Sequence, residues 1–103
     1  MEVTLSEAQH GAQLAVYMTD TVVVRLSEHS GGGYRWQLWS VDPATLEMIE
    51  HRYEPSGAGS AGASVWSFKP KKAGRTRLSL TQLRPWKADD PAAEEFAVLL
   101  DIR

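Results

Sequence analysis

The chain has 103 residues, 43% of them hydrophobic, with 11 basic and 13 acidic side chains and no cysteine. That length sets one domain, residues 1–103, large enough to close around its own core. A formal net charge of −2 with acids and bases interspersed gives nothing to draw nucleic acid or an anionic membrane, and the lack of cysteine excludes disulfides, thiol chemistry and cysteine-ligated zinc.

The opening "MEVTLSEAQHG" has neither the basic start nor the apolar run of a signal peptide. A cytoplasmic chain and a secreted one whose signal is already removed both remain open. Val3–Leu5 and Leu14–Val16 are short apolar runs that read as weak strands, with a turn signal at "GAQ" between them. From Thr21 onward the period is two: Val22, Val24 and Leu26 alternate with Thr21, Val23 and Arg25. Strict alternation marks a strand with one buried face. After "SEHSGGG" the alternation resumes with Tyr34, Trp36 and Leu38. "VDPAT" is a turn. The following "ATLEMIEHR" is the one stretch that could be helical, although Leu46 to His51 also reads as a weak strand. "EPSGAGSAGAS" then leads into Trp66, Phe68 and Pro70, "KPKKAG" turns into Leu78, Leu80 and Gln82, and "RPWKADDPAAEE" precedes Phe96, Val98, Leu100 and Ile102.

Seven or eight short strands punctuated this way predict an all-β fold, an antiparallel β-sandwich. The expected core is Val22, Val24, Leu26, Trp36, Trp66, Phe68, Leu78, Leu80, Phe96, Val98 and Leu100, with Trp86 outside. Three connections exceed the about 2–5 residues of a tight hairpin: "SEHSGGG", "EPSGAGSAGAS" and "RPWKADDPAAEE". In an up-and-down chain every second connection falls at the same end, so these three are expected at one tip. Long loops on a rigid β scaffold are where binding concentrates.

Read together, these stretches resemble the chagasin family of protein inhibitors of papain-like cysteine peptidases. His29-Ser30-Gly31-Gly32-Gly33-Tyr34-Arg35-Trp36 is similar to the family's Asn-Pro-Thr-Thr-Gly-aromatic loop ending in Trp. "GAGSAG" at 57–62 matches its glycine-rich central loop, and Arg84-Pro85-Trp86 matches its Arg-Pro-Trp loop letter for letter. The resemblance implies an immunoglobulin-like antiparallel β-sandwich of seven or eight strands with a wedge of three loops that enters a peptidase cleft reversibly and without a covalent bond, the chain acting as a monomer and not as an enzyme. The residues it points to are His29, Ser30, Gly31, Gly32, Gly33, Tyr34, Gly57, Ala58, Gly59, Arg84, Pro85 and Trp86. The first loop departs from the pattern: Ser30 replaces the stiffening proline, and Gly31 and Gly32 replace both threonines. The glycines either dock through backbone alone or mark a loop that has lost its inhibitory role, which leaves a non-inhibitory binding module as the alternative. Trp86 reads as an anchor or as a cap on the sandwich, and Arg84 as a steering charge or a loop support.

Other chemistries find little support. "GAGSAG" lacks the Lys-Ser/Thr ending and the helix of a phosphate cradle. "KPKK" is too short for a nucleic-acid patch. His10, His29 and His51 lack the three or four convergent ligands a zinc site needs and read as solvated loop or edge residues. No serine sits in a Gly-x-Ser-x-Gly elbow. Neither cofactor nor metal is expected.

Overall fold

The computed structural model describes residues 1–29, 34–55, 61–83 and 94–103. Among these residues eight strands are present: β1 (Glu2–Leu5), β2 (Gln13–Val16), β3 (Thr21–His29), β4 (Arg35–Ser40), β5 (Leu46–Pro55), β6 (Ala61–Pro70), β7 (Gly74–Leu83) and β8 (Glu94–Ile102), with one 3-10 turn at Glu7–Gln9. They form two four-stranded sheets in the orders β1-β3-β6-β5 and β2-β8-β7-β4.

The alternating apolar residues meet between the sheets. Val22, Val24, Leu26, Phe68, Leu78, Leu80 and Leu100 are fully buried, and Trp36, Trp66, Phe96 and Val98 nearly so, which is the whole core expected from the period of two. Leu5, Val16, Leu46 and Ile102 complete it. A second, smaller cluster lies on the opposite face of the first sheet: Val23, Ala63 and Val65. There Arg25 is bonded to Glu54, and Arg52 is bonded to both Glu50 and Glu54. Long side chains of this kind cover apolar surface with their stems while keeping their charges wet.

The sandwich is not purely antiparallel, as the sequence had suggested. β1 pairs with β3 in parallel, and β2 with β8 in parallel; the remaining ladders are antiparallel. The chain alternates direction strand by strand, so odd strands run one way and even strands the other. Wherever the sheet order sets two strands of like parity side by side, the pair must be parallel. That happens once in each sheet, at an edge.

The "ATLEMIEHR" stretch is strand, not helix. Asp42 closes the preceding turn, its carboxylate accepting from the Ala44 N–H at 3.0 Å and its carbonyl from Thr45 and Leu46. Leu46 is then buried and the rest of β5 is largely exposed, because β5 is the edge of its sheet. Both edge strands on this side carry a register break, between Leu38 and Ser40 in β4 and between Met48 and Glu50 in β5. The skipped residues, Trp39 and Ile49, are turned to solvent. Such bulges twist an edge and discourage it from recruiting a further strand.

Candidate functional site

The ladders locate the ends of the three long connections. His29 pairs with Ala61 and Pro55 with Gly62 in the first sheet; Arg35 pairs with Leu83 and Gln82 with Glu94 in the second. The two sheets are tied at the same level, since the Trp36 N–H donates to Glu28 Oε1 at 2.8 Å and the Trp36 indole Nε1–H donates to the Ser27 carbonyl at 2.9 Å. All six stems therefore leave from one end of the sandwich. With strands about 4.8 Å apart and sheets about 10 Å apart, they arise from an area roughly 10 Å on a side.

A fourth connection reaches the same end. Ser6 opens the 3-10 turn with a capping box, its N–H donating to Gln9 Oε1 at 2.7 Å. The turn places Glu7 against the Ser27 N–H, at 3.4 Å, just where β1 has stopped covering the edge of β3. His10 Nδ1 accepts from the Ala97 N–H at 3.0 Å and Gly11 donates to the Ala97 carbonyl at 2.8 Å, which fastens the turn to the start of β8.

Of the residues singled out from sequence, His29 ends β3 and Tyr34 lies half-buried immediately before β4. The Tyr34 carbonyl accepts from Arg35 Nη1 at 3.1 Å. Ser30, Gly31, Gly32, Gly33, Gly57, Ala58, Gly59, Arg84, Pro85 and Trp86 lie outside the described residues. The central connection is shorter than its eleven small residues suggested, because the β5–β6 ladder runs on to Pro55 and Gly62. Side-chain size permits this: a Cβ on Gly62 would lie 2.6 Å from the Glu54 carbonyl oxygen and closer still to the Tyr53 ring and hydroxyl. The other long connections are trimmed likewise, with Ser27, Glu28 and His29 in β3 and Glu94 and Glu95 in β8.

Beneath the tip, on the side where the β4 and β5 edges face each other, a cavity of about 550 Å³ opens between the sheets, lined by Glu28, Trp36, His51, Tyr53 and Trp66 with Arg35 and Arg52 beside them. The His51 ring stacks on Trp66, centroids 3.6 Å apart and planes 11° from parallel. Ser64 Oγ accepts from Trp66 Nε1–H at 2.9 Å and lies 3.1 Å from His51 Nε2. A hydroxyl that accepts from the indole has its own proton to give to the imidazole, an arrangement suited to a neutral ring. Burial holds His51 below its ordinary value of 6.5, against the upward pull of the Glu28 carboxylate.

Sequence reasoning gave Glu28 no role; it read His51 as a solvated loop or edge residue, and His51 is an exposed residue of the edge strand β5, but its stacking on Trp66 went unseen. A signal for Glu28 was present: it continues the inward phase of Val22, Val24 and Leu26. For His51 there was none, since its partner Trp66 lies across a ladder on another strand.

The family model described as "Chagasin family peptidase inhibitor I42" matches residues 15–99. Chagasin of Trypanosoma cruzi is 26% identical over 106 residues, covering 93% of this chain and 94% of its own. Amoebiasin-2 of Entamoeba histolytica is 28% identical over 87 residues, covering 81% and 71%. Among solved structures, the cysteine protease inhibitor EhICP2 from Entamoeba histolytica superposes with a TM-score of 0.90 at 20% identity, over 99% of this chain and 95% of its own. PbICP-C, solved in complex with falcipain-2, superposes with a TM-score of 0.74 at 12% identity, over 99% and 98%. At such identities these two structures speak for the fold.

Proposed function

This chain belongs to the chagasin family of peptidase inhibitors, and we propose that it inhibits papain-like cysteine peptidases reversibly and without a covalent bond, as a single 1–103 domain acting as a monomer. The observation that carries the reading is the departure of six strand ends, the stems of all three long connections, from one narrow end of the sandwich. A tip about 10 Å wide has the dimensions of a wedge for a cleft, and a rigid two-sheet base lowers the ordering cost of docking.

In this reading the contact residues are His29, Ser30, Gly31, Gly32, Gly33 and Tyr34 in the first connection, Gly57, Ala58 and Gly59 in the second, and Arg84, Pro85 and Trp86 in the third. The first two connections act through backbone and close fit. Trp86 acts as the aromatic anchor, the commonest kind of hot spot. The chain is an inhibitor and not a hydrolase. Its Ser64–His51 contact has the look of a nucleophile and base, but Ser64 is 1% exposed and its oxygen already accepts from Trp66, so a substrate carbonyl has no approach to it.

Titration of papain with the wild-type chain and with Trp86→Ala tests the proposal. Wild type should inhibit reversibly, and Trp86→Ala should bind weaker by about 2 kcal/mol or more. Equal inhibition by the two would remove the anchor. A wild type inert against every papain-like peptidase tried would leave the binding-module reading, which the replacement of both first-loop threonines by Gly31 and Gly32 favours.

A further inference from the structure

Glu28 is a carboxylate in a place built for an aliphatic side chain. It follows Val22, Val24 and Leu26 on the inward face of β3 and is 5% exposed. Burying a charge is among the costliest things a small domain can do, and the cost falls only when the charge is well bonded. Glu28 accepts the backbone N–H of Trp36, the second residue of β4, at 2.8 Å. β4 is the edge strand of the other sheet, so this bond runs from sheet to sheet. The indole of the same Trp36 bonds back to the Ser27 carbonyl at 2.9 Å. One residue of β4 is thus held at two points by two consecutive residues of β3. Between these anchors the chain carries Gly31, Gly32 and Gly33, the residue type that loses the most conformational freedom on ordering.

We propose that Glu28 is the positioning residue of the binding tip: its buried carboxylate fixes the separation of the β3 and β4 ends, and so holds the two stems of the first connection in place for docking on a peptidase. The inference rests on the inhibitory reading above. Loops with fixed ends sample fewer conformations than loops with loose ones, and a partner that must order fewer conformations binds more tightly. In a first loop whose Ser30, Gly31 and Gly32 lack proline and threonine, the stem carries the preorganisation that side chains would otherwise supply. Glu28 itself need touch no partner atom.

The test compares four chains: wild type, Glu28→Gln, Glu28→Leu and Val16→Ala. Gln keeps an oxygen acceptor at the same reach and loses the charge. Leu keeps the bulk and loses the acceptor. Val16 is fully buried at the end of β2, where Arg103 donates to its carbonyl at 2.8 Å; it lies at the opposite end of the sandwich and serves as a control for loss of stability alone. Association and dissociation rates with papain are measured for each, together with hydrogen exchange of the Trp36 amide. Glu28→Leu should speed exchange at Trp36 and weaken inhibition about tenfold, the effect of losing one bond to a charged acceptor. Glu28→Gln should stay within about threefold of wild type, and Val16→Ala should inhibit like wild type although less stable. Unchanged Trp36 exchange in Glu28→Leu overturns the clamp whatever the inhibition shows. Undiminished inhibition by Glu28→Leu, a Glu28→Gln as weak as Glu28→Leu, or an equal loss in Val16→Ala overturns the positioning role while leaving the inhibitory reading intact. A wild type that inhibits nothing overturns the inhibitory reading and the positioning role together. Should Glu28→Leu not fold, Glu28→Asp, one methylene too short to reach the Trp36 N–H, takes its place.

Discussion

Gly62→Ala is the sharpest probe of how the central connection is held. Gly62 pairs with Pro55 at the last rung of the β5–β6 ladder. An added methyl would sit 2.6 Å from the Glu54 carbonyl oxygen and nearer still to the Tyr53 hydroxyl and ring. The ring can swing away at some cost in packing; the carbonyl is backbone and can yield only if the ladder opens. Overpacking of this kind costs about 1–3 kcal/mol. For a domain of this length that is a fall in Tm on the order of 5–20 °C. Thermal unfolding followed by far-UV circular dichroism reads the loss. Tyr53→Ala alone and with Gly62→Ala completes a double-mutant cycle, in which the second substitution should cost less once the ring is gone, with a coupling of about 0.5–3 kcal/mol. The carbonyl contact should keep the relief partial. A Gly62→Ala protein within about 0.5 kcal/mol of wild type, the range of a neutral surface change, would refute the close approach of Tyr53 and the extension of the ladder to Pro55.

Phe68, fully buried between the sheets, should cost about 3–5 kcal/mol on truncation to Ala, measured by denaturant unfolding; a loss under about 1 kcal/mol would displace it from the core. Partial burial lowers the His51 pKa and Glu28 on β3 opposes it; Arg35 on β4 and Arg52 on β5 line the same cavity. Between the lowered native value and 6.5 the unfolded chain binds more protons than the native one, so stability rises with pH across that window and falls as the solution is acidified through it. Tm should therefore drop between about pH 7 and pH 5, and the drop should shrink in His51→Gln; an unchanged slope in the variant would assign it elsewhere. Combining Ser30→Pro, Gly31→Thr and Gly32→Thr should tighten inhibition of papain, because it reduces loop freedom and adds side-chain contact; weaker inhibition would show that the glycine backbone itself makes the fit.

Alternation along the chain was enough to place the core. Val22 to Leu26, Trp66 to Phe68, Leu78 to Leu80 and Phe96 to Ile102 each present one face to the same interior, and a period of two leaves no choice as to which face. The up-and-down order also fixed which connections share an end, since direction reverses with every strand. Length, spacing and the Arg84-Pro85-Trp86 match carried the family resemblance, all of it local in sequence. The sequence could not show which strands neighbour one another, and several outcomes follow from that alone. β1 and β2 lie parallel to β3 and β8 because the sheet order set like parities side by side. β5 is a ten-residue strand with almost no buried face, since an edge strand with neither side well covered has no amphipathic signature to read. Glu28 lies on the inward phase of β3 in plain view, but that a carboxylate is tolerable there depends on a backbone N–H from the other sheet. His51 has its pKa lowered by burial, and it stacks on a tryptophan fifteen residues away that a ladder brings to 3.6 Å. A strand carries its own period; its partners, and the charges they make bearable, exist only once the sheets have closed.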